Sequence, residues 1–231
     1  MCGISGFLEC NTVNTDVSFM DSIKRMNASL VHRGPDNDGC WYDIEAGIAL
    51  GHRRLSIIDV SPEGNQPMIS ASGRYVITYN GEIYNYRELR RELEITGCRF
   101  RGNSDTEVML AAFEKWGLVN SVKRFIGMFA FALWDRQERR LFLVRDRMGE
   151  KPLYYGWQGN TFLFASELKA LSAYPGFSAD IDRNSVVLFM RYGYIPTPYS
   201  IYKGIKKLVP GTIITITREE PGCYPQPVPY W

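Results

Sequence analysis

The sequence predicts an α+β fold, with antiparallel strands and helices gathered in separate layers. Two observations support this prediction. Several segments alternate apolar with small or polar residues and are joined in pairs by short polar turns, as in β-hairpins. Other segments repeat apolar residues at the spacing of an amphipathic helix. The glycine patterns of dinucleotide and P-loop sites are absent from the sequence, so we expect no nucleotide site in this segment.

The first half of the chain is predicted to contain three helices and two extended segments. Ser104 and Glu107 form a capping-box pattern before the third helix. The dipeptide Asn80-Gly81, which follows the second extended segment, is typical of a turn. The helices are predicted at Ser18–Leu30, Tyr86–Thr96 and Thr106–Trp116, and the extended segments at Gly47–Val60 and Arg74–Thr78.

The second half is predicted to contain two hairpins and one more strand. The proline-rich residues 220–231 are predicted to be a linker, so the domain is expected to span residues 1–219. The first hairpin is predicted from Met128–Trp134 and Arg140–Arg145, the second from Leu153–Trp157 and Thr161–Ala165, and the last strand at Gly211–Thr217.

Composition limits the classes of function. With 231 residues, 45% of them hydrophobic, the chain can bury a substantial core. Its 27 basic and 25 acidic residues are scattered and give a net charge of +2, so we expect no nucleic-acid or membrane surface. No apolar run has transmembrane length and no leader precedes Cys2, so we expect a cytoplasmic protein.

The cysteines indicate free thiols and no metal site. Their number is odd and their spacings are wide, unlike those of a zinc site. His32 and His52 are the only histidines available to a cysteine–histidine nucleophile. The five cysteines are Cys2, Cys10, Cys40, Cys98 and Cys223.

Cys2 is the most distinctive residue chemically. If Met1 is removed, Cys2 carries a thiol and a free α-amine on one residue. An α-amine has an ordinary pKa of about 7.7–8.0, so it is partly neutral near pH 7 and can accept a proton from its own thiol. A terminal cysteine is therefore a candidate nucleophile that needs no histidine.

Seven motifs in register carry a resemblance to a known family. The chain resembles the glutaminase domain of glutamine-hydrolysing asparagine synthetases, which are class II amidotransferases of the N-terminal-nucleophile hydrolase superfamily. The resemblance covers nearly the whole chain, from Cys2 to about Tyr230. The motifs are Cys2-Gly3-Ile4, the segment from His32 to Asp36, the segment from Gly51 to Asp59, the segment from Asn80 to Asn85, the segment from Ser104 to Glu107, the segment from Gly127 to Ala132 and the segment from Arg145 to Tyr155.

This resemblance implies a four-layer αββα sandwich and hydrolysis of the glutamine side-chain amide to glutamate and ammonia. Cys2 would attack the carboxamide carbon and form a γ-glutamyl thioester. By resemblance, the side chain of Asn80 and the backbone N–H of Gly81 would form the oxyanion hole. In this role, the glycine at position 81 would have no side chain to obstruct the approach of the substrate. Without the family resemblance, the pair Asn80-Gly81 is more often found in a hairpin turn.

The two charged ends of glutamine call for separate groups. Arg54 can bind the α-carboxylate as the sole cation on that group, and Glu82 and Asp105 can accept from the α-ammonium. Asp105 also stands where a carboxylate complements a helix dipole. By resemblance, the backbone of the stretch Leu55, Ser56, Ile57 and Ile58 completes the pocket.

The expected partners are glutamine and a downstream synthetase domain, and the resemblance also allows a homodimer. No cofactor is expected in this segment; ATP and Mg are expected only for the synthetase domain, which would amidate aspartate or another carboxylate such as a sugar uronic acid. Two alternatives stay open at this point: a non-catalytic glutaminase-like interaction module, and another class II amidotransferase, such as a hexosamine-phosphate synthase or a phosphoribosyl amidotransferase.

Overall fold

The structure is a computed structural model that describes residues 1–10, 16–219 and 221–231. The described residues form twelve strands and six α-helices. The strands are β1 (Gly3–Glu9), β2 (Asn37–Asp43), β3 (Ile48–Arg54), β4 (Met68–Ile69), β5 (Tyr75–Ile83), β6 (Gly127–Asp135), β7 (Arg140–Arg145), β8 (Tyr154–Gln158), β9 (Thr161–Ala165), β10 (Ile205–Lys207), β11 (Thr212–Ile216) and β12 (Val228–Pro229). The helices are α1 (Asp16–Ala28), α2 (Tyr86–Ile95), α3 (Asp105–Trp116), α4 (Leu118–Arg124), α5 (Leu168–Ser172) and α6 (Arg183–Tyr192).

The strands form two antiparallel sheets of six strands each. The first has the order β10-β8-β9-β1-β3-β2 and the second the order β12-β11-β7-β6-β5-β4. Three apolar cores separate four layers. One core lies between the sheets, one joins the first sheet to α1, and one joins the second sheet to α2, α3 and α4. The predicted αββα sandwich is confirmed.

Strand alternation decides which side chains face the space between the sheets. Ile4 of β1, Leu50 of β3 and Val76 of β5 all belong to the core between the sheets. Because side chains alternate along a strand, residues an even number of positions away share that face. At the ends of these three strands, the inner face therefore carries Cys2, Arg54 and Asn80.

Most predicted elements are confirmed to within two residues. Both hairpins form, as β6–β7 and β8–β9, and the three predicted helices correspond to α1, α2 and α3. The capping box is half present. The Ser104 hydroxyl accepts from the Glu107 N–H, but the Glu107 carboxylate binds the backbone N–H groups of Arg101 and Gly102 instead of reaching back to Ser104.

Three sequence predictions are wrong in detail. Asn80-Gly81 forms no turn, because β5 continues through it and pairs with β6 as far as Ile83. The extended segment predicted to reach Val60 ends as a strand at Arg54. The strand predicted as the last is followed by β12, which pairs with β11.

Residues near the chain end contact the folded domain. Tyr230 is buried and its hydroxyl donates to the carbonyl oxygen of Arg145 at 2.8 Å. The indole N–H of Trp157 donates to the carbonyl oxygen of Cys223 at 2.8 Å. The division into a domain at residues 1–219 and a linker at 220–231 stays a prediction.

Candidate active site

One cavity brings the predicted site residues together. It lies where β1 begins and β3 ends, beside the last residues of β5, and its volume is about 170 Å³. That is smaller than the roughly 300–1,000 Å³ of pockets for drug-sized ligands and suits a small metabolite. All ten predicted residues line it: Cys2, Arg54, Leu55, Ser56, Ile57, Ile58, Asn80, Gly81, Glu82 and Asp105.

Strand pairing places the Cys2 thiol next to the end of β3. Gly3 pairs with Arg53, so the preceding residue of β1 reaches the residues that follow Arg53. The Leu55 N–H lies 3.4 Å from Sγ of Cys2, and the thiol lies 3.5 Å from the Leu55 carbonyl oxygen. The backbone after β3 therefore holds the thiol at the cavity wall.

Burial raises the pKa of the Cys2 thiol above its ordinary value. The backbone contact with Leu55, the positive chain terminus and Arg54 act in the opposite direction, and burial outweighs them. The thiol is therefore the resting form near neutral pH. A nucleophilic role for Cys2 consequently requires a base that removes its proton.

Arg33 fixes the main chain at Cys2. Its Nε donates to the carbonyl oxygen of Cys2 at 2.8 Å, and its Nη1 contacts the Glu167 carboxylate at 2.8 Å. Asp36 binds the N–H of Ser56 at 2.8 Å. Through these contacts both residues position the backbone at the walls of the cavity.

Asn80 and Gly81 supply two N–H donors to the cavity that the thiol lines. Asn80 is 1% exposed, and its side-chain N–H₂ has no hydrogen-bond partner among the described residues. A buried donor without an acceptor costs about 1–3 kcal/mol, so such a group is typical of a binding or catalytic site.

The open edge of β5 explains the second donor. The short strand β4 covers this edge only at Val76 and Ile77. Beyond it, the N–H of Tyr79 donates to the side chain of Gln66 and the N–H of Ile83 to the carboxylate of Asp105. Because N–H groups alternate between the two edges of a strand, the N–H of Gly81 points to the same open edge, between these two bonds.

The glycine at position 81 is required for a different reason from the one expected. A Cβ atom there would collide with the carbonyl oxygen of Met128 on β6. The absence of a side chain at Gly81 therefore allows β5 to pair closely with β6. From the sequence, the same glycine is explained by the space that a substrate needs.

Arg54 is buried and largely committed to the loop after β3. Its Nη1 donates to the carbonyl oxygen of Ser61 at 2.8 Å and to the side chain of Asn65 at 2.7 Å, and its Nη2 donates to the carbonyl oxygen of Asp59. These three bonds leave Nε–H and one Nη2 hydrogen for a ligand. Lys151 also lines the cavity. The role of Arg54 as the sole cation on the α-carboxylate stays a prediction.

Asp105 provides the carboxylate at the start of α3. One of its oxygens accepts from the hydroxyl of Tyr79 at 2.7 Å and from the N–H of Ile83 at 3.0 Å. Burial raises the pKa of this carboxyl group, although these hydrogen bonds act against the rise. As the first residue of α3, Asp105 also lies where a carboxylate complements the helix dipole, so both expected placements hold.

Glu82 and the stretch after β3 complete the wall. Glu82 is half-buried and lies opposite Met128 in the β5–β6 pairing. Leu55, Ser56 and Ile58 are half-buried, whereas Ile57 is exposed. The N–H groups of Leu55 and Ser56 are engaged by Cys2 and Asp36, so fewer backbone donors of this stretch are available than expected.

Sequence analysis missed residues that hold the site in place. Tyr79 and Gln66 line the cavity and connect β5 to the start of α3, since the Gln66 side chain binds both the N–H of Tyr79 and the hydroxyl of Thr106. Tyr79 directly precedes Asn80 in the motif, and this adjacency was the one sequence signal for it. No sequence signal indicated Gln66, which lies in a loop.

His52 is a buried neutral histidine in the same wall. One ring nitrogen lies 3.0 Å from the carbonyl oxygen of Tyr79, and burial lowers the pKa of His52 to about 4. Nε2–H donates to that carbonyl oxygen, and Nδ1 is buried without a partner among the described residues. The low pKa makes this nitrogen a weak base near pH 7. His52 is therefore a structural link between the two sheets.

We expect His52 to make stability fall on mild acidification. Its pKa lies below the ordinary 6.5, so the unfolded chain takes up the proton first and stability is lost as pH falls from about 6.5 to about 4. The shift corresponds to about 3 kcal/mol. Urea unfolding at pH 7 and pH 4.5 measures this loss. His52→Gln should lose less over the same interval, because carboxylate titration is common to both proteins. An equal loss in both would contradict the prediction.

Among the described residues, no group of three or more His, Cys, Asp or Glu side chains could hold a metal ion. None of the helices in that part of the chain is long and apolar enough to cross a membrane.

The chain matches the family model described as a glutamine amidotransferase domain over residues 1–231. The curated proteins to which it is similar include three asparagine synthetases. Two come from Bacillus subtilis. Asparagine synthetase [glutamine-hydrolyzing] 3 is 38% identical, and the match covers 95% of this chain and 35% of that protein. Asparagine synthetase [glutamine-hydrolyzing] 1 is 40% identical, and the match covers 94% of this chain and 33% of that protein. The third is a putative asparagine synthetase [glutamine-hydrolyzing] 2 from Methanocaldococcus jannaschii, which is 39% identical; the match covers 90% of this chain and 42% of that protein. The chain therefore spans less than half the length of these relatives.

The fold is also shared with a solved structure. Glutamine phosphoribosylpyrophosphate amidotransferase from B. subtilis, complexed with ADP and GMP, superposes with a TM-score of 0.70. The match covers all of this chain and 49% of that one at 19% identity, and it shows the likeness of fold alone. The family model and the curated relatives establish that the chain belongs to the glutamine amidotransferase domain family.

Proposed function

We propose that this chain hydrolyses the side-chain amide of glutamine to glutamate and ammonia through a γ-glutamyl thioester on Cys2. One observation carries the proposal. The Cys2 thiol shares a small cavity with a buried Asn80 amide N–H that has no partner among the described residues. A nucleophile next to a preorganised free donor is what acyl transfer requires.

The chemistry follows from this arrangement once Met1 is removed. The α-amine of Cys2 takes the thiol proton, and the sulfur attacks the carboxamide carbon. The carbonyl oxygen becomes an oxyanion, which accepts hydrogen bonds from the Asn80 side chain and the Gly81 N–H. The amine returns the proton to the nitrogen, the C–N bond breaks and ammonia leaves. Water, deprotonated by the same amine, then attacks the thioester, the C–S bond breaks and the thiol recovers its proton.

Three charged residues of the cavity wall suit the charged part of glutamine. Arg54 retains two N–H groups for the α-carboxylate, and Asp105 and Glu82 offer carboxylate oxygens for the α-ammonium. The anchoring of Arg54 by the loop supports this role, because a fixed guanidinium loses little freedom when it binds.

We expect Arg54→Ala to raise KM for glutamine roughly ten- to a hundredfold. Losing a charge-assisted hydrogen bond costs about 1.5–3 kcal/mol, and the α-carboxylate would lose its partner. Steady-state kinetics with glutamine measure the change. Binding of a glutamine analogue without the carboxylate should be equal in wild type and variant.

Two further variants separate ligand binding from loop structure. Asn65→Ala removes one loop acceptor of Arg54 and leaves the guanidinium in place, so its KM should change far less. Lys151→Met removes the other cation of the cavity. A large KM increase in Lys151→Met, with little change in Arg54→Ala, would transfer the carboxylate-binding role to Lys151.

The proposed reaction is tested by product analysis. Purified protein with Met1 removed should release glutamate and ammonia in equal amounts from glutamine. Asparagine, which is one methylene shorter, should be a poor substrate because its amide cannot reach Cys2 while its charged end is bound. Absence of glutaminase activity in folded protein with a free Cys2 amine would favour the alternative of a non-catalytic interaction module.

We also propose that the ammonia serves a synthetase domain downstream in the full-length protein. The relatives that support this are named glutamine-hydrolysing asparagine synthetases, and more than half of each lies outside the matched region. The acceptor would be aspartate or another carboxylate, such as a sugar uronic acid. ATP and Mg would belong to that domain. We place the protein in the cytoplasm, since its five cysteines are unpaired.

A further inference from the structure

We propose that the exposed apolar side of α6 is the surface on which the synthetase domain docks. The inference rests on the proposed function, because the partner is the domain that would consume the ammonia. We call this side the α6 surface, and it consists of Val186, Val187, Phe189, Met190, Tyr192 and Tyr194.

The α6 surface differs from the apolar faces of the other long helices. Of the ten residues of α6, only Ser185 is buried. Val187 is 65% exposed and Met190 is 78% exposed. By contrast, α1 and α3 bury their apolar residues against the sheets. An amphipathic helix normally turns its apolar stripe to a core, and a contiguous exposed stripe marks an interaction site.

Both ends of α6 are capped, although its apolar side chains do not pack against the domain. The Asp182 side chain accepts from the N–H of Asn184 at 3.0 Å and caps the first turn. Gly193 ends the helix with φ 75°, the left-handed conformation that favours glycine. A helix shorter than about 12 residues is marginal without packing, so capping alone does not account for it. A partner that covers the apolar side would supply the missing stabilisation.

The α6 surface leads to the loop beside the glutamine cavity. Tyr194 and Ile195 line a groove of about 260 Å³ together with Arg145 and Leu153. The Arg145 guanidinium holds the next loop through the carbonyl oxygens of Gly149, at 2.6 Å, and Lys151, at 2.8 Å. Since Lys151 lines the cavity that contains Cys2, a domain docked on α6 would lie beside the site of ammonia release.

The extent of the relatives favours a covalently attached domain as the occupant. The matched region makes up 33–42% of the three curated relatives, so each carries a long further segment. A tethered domain has a high effective concentration at its neighbour, so a surface the size of one helix is sufficient to hold it.

Hydrogen exchange tests the docking surface without relying on activity. The matched N-terminal third of B. subtilis asparagine synthetase 1 is replaced with this chain, and amide exchange at residues 183–192 is compared with that of the chain alone. We expect exchange to slow at least about tenfold in the chimaera, since docking stabilises the helix against local opening. Equal exchange in the two proteins would overturn the proposal.

Aspartate substitutions in the α6 surface test whether docking is needed for ammonia transfer. In the chimaera, Val187→Asp and Met190→Asp should lower glutamine-dependent asparagine formation about tenfold, because a charge in an apolar interface is desolvated. Glutamine hydrolysis and ammonia-dependent synthesis should not change. The matched control is Ile95→Asp at the end of α2, which is 86% exposed and outside the α6 surface. Identical behaviour of the α6 variants and Ile95→Asp would contradict the docking surface.

A second copy of the chain is the competing occupant. Light scattering of the isolated chain should give a monomer, and a dimer that Met190→Asp dissociates would overturn the proposal. Failure of the proposed function is distinguishable, because glutamine hydrolysis by the isolated chain is measured separately and the exchange experiment does not depend on it.

Discussion

Replacing Cys2 with alanine is expected to abolish glutamine hydrolysis while the domain stays folded. The substitution removes the sulfur that would form the thioester. The side chain is only half-buried and small, and its hydrogen-bond contacts among the described residues are with the backbone of Leu55, so little packing is lost. Ammonia release measures the activity, and circular dichroism with urea unfolding checks the fold.

An N-terminal extension should have the same effect on activity as Cys2→Ala. A tag that is not cleaved, or a retained Met1, leaves the thiol intact but converts the amine of Cys2 to an amide, which cannot accept a proton near pH 7. Burial raises the pKa of the thiol, so it needs this base. Neither histidine replaces it, since burial lowers the pKa of His52 to about 4 and His32 lies in an exposed contact with Glu167.

Mass spectrometry shows whether Met1 is retained and which cysteine is labelled, and the activity of the same preparation is measured in parallel. A glutamine-like diazoketone should label Cys2 and leave Cys10, Cys40, Cys98 and Cys223 unmodified. Cys40→Ala, which changes a half-buried thiol outside the cavity, should keep full activity. Full activity in a preparation that retains Met1 quantitatively would refute the terminal-amine mechanism.

Asn80→Ala should lower kcat by roughly a hundred- to a thousandfold with little change in KM. The side-chain N–H is free among the described residues and gains its acceptor only when charge develops on the substrate oxygen. Loss of one oxyanion donor has an effect of this size in other acyl-transfer enzymes. Steady-state kinetics at saturating glutamine separate kcat from KM.

A matched control lies on the same face of β5. Thr78 is two residues from Asn80, and its hydroxyl bridges the sheets by donating to the carbonyl oxygen of Gly51 at 3.0 Å. Thr78→Val should lower stability and leave kcat near the wild-type value. If Asn80→Ala weakened glutamine binding and kept kcat, Asn80 would be a contact of the bound substrate and not of the transition state.

The sequence was sufficient to predict most of the longer elements and ten residues of the cavity wall. Hydrophobic periodicity identified α1, α2 and α3, and short polar turns identified the β6–β7 and β8–β9 hairpins, because these signals are local. The family resemblance identified residues that are far apart in the chain, such as Cys2 and Asp105, and the structure places them in one cavity.

How those residues are used depends on contacts that form between distant segments. Asn80-Gly81 has the composition of a turn, yet pairing with β6 keeps it extended, because the ladder outweighs local turn preference. The commitment of Arg54 to the loop at Ser61, and the bond from Tyr79 to Asp105, depend on segments that meet only after folding. The side-chain N–H of Asn80 has no acceptor among the described residues for the same reason. Whether a buried donor meets an acceptor depends on every element packed around it, and a local sequence pattern does not predict that packing.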